Sequence, residues 1–224
     1  PLPGFGLFLG RVVLNDLLSI GVLRVFHVLV YTLSCMSLLR MGVSLLGASL
    51  LSLVLTEFIL VFLSVILKAA LVGRYWGRDH STAFWSWRHF TYFLTQDCFS
   101  AWCAIPLQMT AGTLLSNPVL RAMRCRIGKR TILASPMQAY DWNALCIGND
   151  CMLSGLLQLH TFENMRLKVK ETTIGDGAVI NTGATVMGGV LIESGVTLSP
   201  LCLVLKEMQL STGAYQGKIG RAHV

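Results

Sequence analysis

Hydrophobic and polar residues follow two different patterns along this chain. Before residue 72 the apolar residues lie in long unbroken runs, whereas between Ile174 and Leu205 an aliphatic residue recurs every six positions. About 20 apolar residues are enough to cross a bilayer as a helix. A period of six fits neither a helix, which repeats every 3.6 residues, nor a continuous strand, which repeats every two. The pattern predicts two parts that face different solvents.

The segment from Met41 to Leu67 is the clearest candidate for a membrane-spanning helix, because Glu57 is its only charged residue. The segment from Leu17 to Leu39 is long enough as well, but it contains Arg24 and His27. Charges inside a membrane are costly and usually face a protein partner or water. Three alternatives stay open: Glu57 pairs with Arg24 across a helical hairpin, the first segment lies shallow in the membrane, or the charges are unrelated.

Basic residues are more frequent at the outer ends of the two apolar segments than in the turn between them, which carries Arg40. The positive-inside rule then places the C-terminal part of the chain in the cytosol. The basic residues at the outer ends are Arg11, Lys68, Arg74, Arg78 and Arg88.

Residues 84 to 115 are crowded with aromatic side chains, as is typical of a membrane–water interface. This composition predicts an amphipathic helix that lies in the interface. A third span from Cys98 to Leu115 is the alternative, which Pro106 weakens. His80 and His89 are interpreted as interfacial packing residues.

The six-residue period predicts short strands that each turn a corner and start again, with three faces closing one coil of a solenoid. The fifth residue of each block must be small because it also points inward, and the second is expected at a left-handed corner, which suits Gly175 and Asn181. The blocks open at Ile174, Ile180, Val186, Ile192, Leu198 and Val204, and their fifth residues are Ala178, Ala184, Val190, Val196 and Cys202.

The phrases IGKRT, IGNDC and IGDGA repeat the start of a block earlier in the chain, at Ile127, Ile147 and Ile174. Leu133 follows the first at a step of six, and Leu153 and Leu159 follow the second. The predicted fold is a transmembrane helical hairpin followed by a left-handed parallel β-helix of about four coils. Two insertions, at residues 134–146 and 160–173, interrupt the coils.

The predicted organisation has four parts. Residues 1–72 form the transmembrane helical region, 73–120 an aromatic-rich interfacial linker, and 121–217 the β-helix domain. Residues 218–224 are set apart, since the sequence from Ile219 (IGRAHV) resembles the translation of a sequencing adapter and is expected to be an artefact. With no initiator Met, the chain is expected to be a fragment of a longer protein.

Composition predicts a membrane protein and favours membrane topology over nucleic-acid binding as the reason for the basic charge. Hydrophobic residues make up 54% and charged residues 13% of the chain, whereas soluble domains carry about 25% charged residues. The net charge is +7, but its basic residues are scattered or follow the apolar region, so membrane topology explains them. The seven cysteines form no CxxC pair and have no histidine at metal spacing, which predicts reduced thiols and no metal site.

The order of several phrases resembles a known family: KAALVGRYWG, GTLLSNPVLRAMRCRIGKR, IGNDC, HTFENMRLK, IGDGAVINTGATVM and LCLVLKE. The blocks resemble the hexapeptide-repeat acyltransferase superfamily. More specifically, roughly residues 40–217 resemble the C-terminal membrane region of poly-lysine-synthetase-type nonribosomal peptide synthetases. The resemblance implies peptide-bond formation on a carrier-bound substrate. The phrase STGAYQG departs from the family, because the expected Pro-Ala continuation is missing.

Acyl transfer needs a base near the nucleophile and donors for the developing oxyanion. A β-helix is a packed rod, so we expect the site on an insertion. His160 opens the longer insertion, and the resemblance implies a catalytic histidine on a comparable loop. We expect Glu163 to orient it, with Asp141 as the second candidate. The alternative is that His160 is a corner residue bonded to the backbone.

The predicted donor is a coenzyme A thioester or a phosphopantetheine-linked acyl or aminoacyl group. Arg166 and Lys168 are the candidates to contact its phosphates, with a solvated basic loop as the alternative. The other predicted partners are the lipid bilayer, a carrier domain and further copies of the chain in a trimer formed through the β-helix. Two alternative functions stay open: a non-catalytic β-helix scaffold, and a small transporter, which leaves the β-helix unexplained.

Overall fold

The computed structural model describes residues 23–72, 79–84, 86–134, 138–139 and 141–219, with the backbone alone at 138–139 and 218–219. They belong to two compact units. One contains the long helices up to Pro106, and the other contains residues 79–84 and the chain from Leu107 onward. The predicted linker 73–120 therefore contributes to both units. The predictions for residues 1–22, 73–78 and 220–224 lie outside the described residues.

The helical unit is built from α1 (Leu23–Arg40), α2 (Leu45–Leu71) and the part of α3 (Trp87–Met109) that ends at Pro106. The turn between α1 and α2 uses Gly42 at a positive φ of 82°, and the Ser44 side chain caps α2 by accepting a hydrogen bond from Gly47 N. By length and composition, α1 and α2 are apolar enough to cross a membrane. Both predicted helices are therefore present, the second starting four residues later than predicted.

The core of the helical unit contains a residue from each helix. Leu23, Leu60 and Trp102 are buried together, and the Trp102 indole lies 3.5 Å from the Leu23 carbonyl to which it donates. His27 Nε2 lies 3.6 Å from the Glu57 carboxylate. The structure thus places His27 next to Glu57, whereas a pairing of Glu57 with Arg24 was one of the three alternatives that the sequence left open.

The described residues of the second unit contain eighteen strands, which are numbered in chain order. They are β1 (His80–Ala83), β2 (Arg126–Ile127), β3 (Ile132–Leu133), β4 (Gln138–Ala139), β5 (Leu145–Ile147), β6 (Met152–Leu153), β7 (Leu156–Gln158), β8 (His160–Glu163), β9 (Arg166–Val169), β10 (Thr172–Ile174), β11 (Val179–Ile180), β12 (Thr185–Met187), β13 (Leu191–Ile192), β14 (Thr197–Leu198), β15 (Leu203–Val204), β16 (Gln209–Leu210), β17 (Ala214–Tyr215) and β18 (Lys218–Ile219).

Fifteen of these strands form three parallel sheets of five strands each, ordered β2-β5-β10-β13-β16, β3-β6-β11-β14-β17 and β4-β7-β12-β15-β18. The predicted parallel β-helix is confirmed. The described residues form five coils where about four were predicted, because β4 lies inside the first predicted insertion and β16 to β18 add a final coil. The left-handed sense of the coils stays a prediction.

The predicted core positions are confirmed. The six block-opening residues from Ile174 to Val204 are each at most 1% exposed, and so are the five small residues at the fifth positions. Each buried aliphatic side chain contributes about 1.5–3 kcal/mol relative to leaving it exposed. The six-residue period is therefore the period of the core.

The predicted corner position is wrong. A positive φ occurs at the fourth residue of the blocks, as at Gly177 with φ 67°, rather than at the second. Gly175 at the second position is needed for a different reason: an added Cβ would lie 2.5 Å from Ser194 N on the next coil. Glycine therefore serves close packing between coils at one position and backbone conformation at the other.

The second coil reaches its third face two residues early. Leu157, rather than the predicted Leu159, lies opposite Val186 on the neighbouring coil. Gly155 makes the shortening feasible, since an added Cβ there would lie 2.4 Å from the Ala184 carbonyl. Leu159 is still buried, so His160 follows directly on the end of the buried third face.

The second insertion is a sheet and not an irregular loop. β8 and β9 form an antiparallel hairpin whose turn residues, Asn164 and Met165, have φ values of 50° and 56°. Such left-handed turn residues match the twist of a two-residue hairpin. β1 pairs with the other side of β9 and completes a three-stranded sheet.

A short helix, α4 (Asn117–Ala122), precedes the first coil. Leu120 is 1% exposed, and the Asn117 amide donates to the Thr131 carbonyl at 2.9 Å. The Arg121 guanidinium donates to the Ile127 carbonyl at 3.0 Å. The helix is thus hydrogen-bonded to the backbone of the first coil. It covers part of the edge of that coil, and a covered edge resists pairing with other strands.

Candidate active site

His160 and Asp141 form the candidate site. His160 Nδ1 lies 2.7 Å from Asp141 Oδ2, with 16% of the histidine side chain and 1% of the aspartate side chain exposed. A carboxylate oxygen accepts hydrogen bonds, so Nδ1 is the donor and the basic lone pair of the imidazole is on Nε2. The site therefore joins a partly accessible imidazole to a buried carboxylate.

The register of the coils brings these two residues together. On the third face Ala139 lies opposite Leu157. Asp141 follows Ala139 by two residues, and His160 follows Leu157 by three residues. The Asp141 carbonyl also accepts a hydrogen bond from Ala144 N at 2.9 Å, in the short 3-10 helix Trp142–Ala144. The backbone of Asp141 is thereby held at the corner.

The Asp141 carboxylate is buried at a cost. Its Oδ1 atom is buried without a hydrogen-bond partner among the residues that the structure describes. Burying a carboxylate oxygen without a partner lowers the stability of a fold. The Asp141 carboxylate is thus buried with Oδ2 bonded to the imidazole of His160 and Oδ1 without a described partner.

Glu163 is not the partner of His160 in the structure. In β8 the two residues are three positions apart, and successive side chains of a strand point to opposite faces. The Glu163 carboxylate instead accepts hydrogen bonds from Lys168 Nζ at 3.0 Å and from Lys206 Nζ. These bonds, that from Lys206 first, lower the pKa of Glu163 to about 2. The structure therefore pairs His160 with Asp141, the second candidate of the sequence, and pairs Glu163 with the two lysines.

The two predicted phosphate contacts lie on the same face of the hairpin as Glu163. Arg166 is opposite Glu163 and Lys168 is opposite Thr161. Arg166 donates to the Ser81 hydroxyl at 2.8 Å and to the Ser81 carbonyl at 3.1 Å, so it ties β9 to β1. The structure therefore brings Arg166, Lys168 and Glu163 together and places His160 on the other face.

Two aromatic residues that the sequence did not single out lie beside the imidazole. The Phe162 ring centroid is 5.5 Å from that of His160 and 5.3 Å from that of Phe84. Phe162 follows His160 by two positions on β8, so both side chains share a face. Period-two reading of the insertion would have found Phe162, but the link to Phe84 depends on the pairing of β1 with β9.

None of the described cysteines forms a disulfide. Burial raises the pKa of the Cys151 and Cys202 thiols, which keeps them protonated and unreactive. Among the described residues, no group of three or more His, Cys, Asp or Glu side chains is placed to hold a metal ion. The two thiols serve as small side chains in the core.

A sequence comparison connects the chain with one curated protein. It is 27% identical over 147 residues to a delta-poly-L-ornithine synthetase from Acinetobacter baumannii (strain AB307-0294), a match that covers 63% of this chain and 11% of that protein. No protein-family model matches the chain. The resemblance inferred from the order of the motifs is confirmed as a distant one, and the chain spans only a small part of its relative.

Solved structures also resemble the chain. A maltose O-acetyltransferase from Clostridium difficile 630 matches 51% of this chain and 79% of its own, with 15% identity and a TM-score of 0.42. A hexapeptide transferase family protein from Anaplasma phagocytophilum matches 42% and 60%, with 16% identity and a TM-score of 0.26. A serine acetyltransferase isoform 3 from Entamoeba histolytica matches 79% and 63%, with 16% identity and a TM-score of 0.25.

Proposed function

We propose that the chain is an acyltransferase-like module, anchored in a membrane, that transfers an acyl or aminoacyl group to an amine. The observation that carries the proposal is the 2.7 Å contact between His160 Nδ1 and the buried Asp141 carboxylate. A histidine oriented by a buried carboxylate is a general base in many acyl transfers. The left-handed β-helix supplies the rigid frame.

His160 would act first as a base and then as an acid. As the amine attacks the thioester carbonyl, Nε2 takes a proton from the amine nitrogen and the C–N bond forms. When the tetrahedral intermediate collapses, the C–S bond breaks and the imidazolium returns a proton to the departing sulfur. Asp141 stabilises the imidazolium and holds the proton on Nδ1.

We propose a coenzyme A thioester or a phosphopantetheine-linked group as the donor, delivered in the second case by a carrier domain. The name of the poly-ornithine synthetase supports an amine acceptor and an aminoacyl donor. A contact from Arg166 or Lys168 to the donor's phosphates would have to replace their bonds to Ser81 and Glu163. A trimer formed through the β-helix remains part of the proposal.

Membrane anchoring by α1 and α2 is supported by their length and hydropathy. The basic residues at their outer ends support a cytosolic β-helix. Thiol labelling of Cys146, which is partly exposed, tests this orientation with a membrane-impermeant reagent in intact cells. We expect labelling only after the membrane is permeabilised, and labelling from outside would overturn the cytosolic placement.

The function is tested with the full-length protein in membranes, comparing product formation in the wild type and in His160→Ala. We expect a loss of about 100-fold or more, the usual contribution of a general base. His80→Ala is the matched control, because His80 and His160 both pair with Val169 from opposite sides of β9. Unchanged product formation in His160→Ala, with the protein still in the membrane fraction, would overturn catalysis and favour the scaffold.

A further inference from the structure

We propose that the end of the β-helix formed by the first coil docks on the headgroups of an anionic membrane. The proposal rests on the proposed membrane anchoring, but it concerns a second contact with lipid, made by the β-helix unit rather than by α1 and α2. The docking surface combines exposed apolar and exposed basic side chains. Its members are Met109, Leu114, Leu115, Arg121, Arg126 and Lys129.

The residues of the docking surface belong to one end of the stack of coils. Strands β2 and β3 of the first coil are edge strands of their sheets. The short segments that precede them are hydrogen-bonded to this coil, since the Leu133 carbonyl accepts from Gly112 N at 2.8 Å and the Thr131 carbonyl accepts from Asn117. The 3-10 helix that begins at Leu114 contacts β3, and α4 contacts β2. The docking surface is therefore the capped end of the β-helix.

The apolar members of the docking surface are exposed to solvent. Met109 is 80% exposed, Leu115 70% and Leu114 48%, whereas Ser116 directly after them is buried. Exposed apolar side chains are common singly on protein surfaces, but three of them within seven residues next to basic residues resemble a membrane-surface segment. Entry into the boundary between headgroups and acyl chains would remove their apolar surface from water.

The charge at this end of the β-helix has one sign. Residues 98–140 contain five basic residues and no acidic one. The Arg121 guanidinium donates to backbone carbonyls, and neither Arg126 nor Lys129 forms an ion pair among the residues that the structure describes. By contrast, three lysines of the hairpin and the later coils are paired with glutamates. The positive charge of the docking surface is therefore left to attract anions.

The combination of the two kinds of side chain favours a lipid surface over a soluble anion. A soluble anion would use the basic side chains alone, whereas an anionic bilayer offers phosphates to the cations and acyl chains to the leucines. The chain also enters the β-helix unit at Leu107, directly after the part of α3 that belongs to the helical unit. A membrane that holds the helical unit is therefore close to the docking surface along the chain.

Fluorescence of the full chain in vesicles tests the docking surface. An apolar, environment-sensitive fluorescent amino acid replaces Leu115 in one sample and Leu201 in another. Leu201 is 80% exposed and lies between β14 and β15, away from the first coil, so it is the matched control position. Vesicles of phosphatidylcholine alone are compared with vesicles in which about one third of the lipid is phosphatidylglycerol, which is anionic.

We expect the emission at position 115 to shift to the blue only in the vesicles that contain phosphatidylglycerol, because the probe leaves water there. Salt at about 1 M should reverse the shift, since the Debye length falls to about 3 Å. The emission at position 201 should be the same in both kinds of vesicle.

Neutral substitutions test the basic side chains. Arg126→Gln and Lys129→Gln should each lower the ratio of docked to undocked protein by about 5-fold, the effect of removing one basic charge near an anionic surface. Arg166→Gln removes the same charge from the hairpin and should leave the ratio unchanged.

Three results would overturn the proposal: no shift at position 115 in the anionic vesicles, an equal shift at position 201, or an effect of Arg166→Gln as large as that of Arg126→Gln. A shift that follows the protein-to-lipid ratio instead of the lipid charge would assign the surface to a second copy of the chain and would overturn it too. Extraction with alkaline carbonate tests the anchor separately. A chain that resists extraction but shows no shift keeps the anchor and loses the docking surface, and a chain that is extracted but shows the shift beforehand does the reverse.

Discussion

The coils between Thr172 and Val204 and those between Arg126 and Gln158 use one six-residue pattern but differ in what they bury. In the later coils the inward positions are aliphatic or small, and each is at most 1% exposed. The earlier coils bury Asp141 as well, with one oxygen atom unsatisfied among the described residues. Regular coils are built for stability, and the interrupted ones give up stability at the point where chemistry is proposed.

The comparison also explains why His160 lies where it does. A two-residue shortening at Gly155 and the hairpin that follows both belong to the second coil. Together they bring the imidazole alongside Asp141 of the first coil. In the later coils the strands follow one another at steps of six, and no strand pair projects from them.

The largest expected effect is a loss of product formation on substitution of Asp141, without a loss of stability. Asp141→Asn should lower product formation by about 100-fold or more, because the amide no longer holds the proton on Nδ1. The free energy of unfolding should not fall, since a buried charge is removed. Glu163→Gln is the matched control and should keep most of the activity. A comparable loss of product formation in both variants would show that Asp141 does not act on His160 in the reaction.

Removing a core side chain in a regular coil should instead lower the free energy of unfolding. Leu198→Ala deletes a fully buried side chain and should lower the free energy of unfolding by about 2–5 kcal/mol. Denaturant unfolding measures it, with Thr197→Ala on the outward side of the same strand as the control. If Leu198→Ala lowers the free energy of unfolding no more than Thr197→Ala does, the regular coils are not built for stability as the comparison with the interrupted coils assumes.

The two glycine positions of a block should differ in cost. Gly175→Ala places a Cβ 2.5 Å from Ser194 N, and we expect a loss of about 1–3 kcal/mol from overpacking. Gly177→Ala meets no atom within 4 Å and should lose about 1 kcal/mol through its positive φ alone. Thermal unfolding of the two variants decides between close packing and backbone conformation as the reason for each glycine.

The smallest effect concerns the ion pairs that hold the hairpin. Hydrogen bonds from Lys206 and Lys168 lower the pKa of Glu163 to about 2 in the folded protein. A lowered folded-state pKa means that the contribution to stability is present above the unfolded value near 4.5 and is lost as the pH falls toward 2. Hydrogen exchange of the β8–β9 amides should therefore quicken relative to the later coils below about pH 4.5.

Glu163→Gln should reduce this pH dependence, and added salt should weaken the protection at neutral pH because the pairs are exposed. An identical pH profile in the variant would show that the ion pairs do not hold the hairpin.

Much of the fold is predictable from residue patterns. The aliphatic residues from Ile174 to Val204 reveal their burial through spacing alone, because each strand is so short that one inward position per block suffices. The helices α1 and α2 are predictable from the length of their apolar runs. The number of coils is harder to predict from the sequence. Strand β4 lies inside a segment that reads as an insertion, and β16 follows the last block in which the six-residue spacing is clear.

The site is less predictable for a specific reason. Local spacing pointed to Glu163, three residues from His160, on the assumption of a loop. In a strand, side chains three positions apart point to opposite faces. The Glu163 carboxylate therefore lies away from His160 and pairs with Lys168 and Lys206. Phe162, two residues apart, shares the face of His160.

Spacing along the chain decided which residues enter the core of the β-helix, since burial repeats with the local geometry of each short strand. The partner of His160 was decided only in three dimensions. Asp141 is 19 positions away along the chain, and the two meet because Ala139 lies opposite Leu157 on adjacent coils. That register depends on a coil shortened at Gly155, where the Ala184 carbonyl leaves no room for a side chain, and such packing between coils leaves no periodic trace in the sequence.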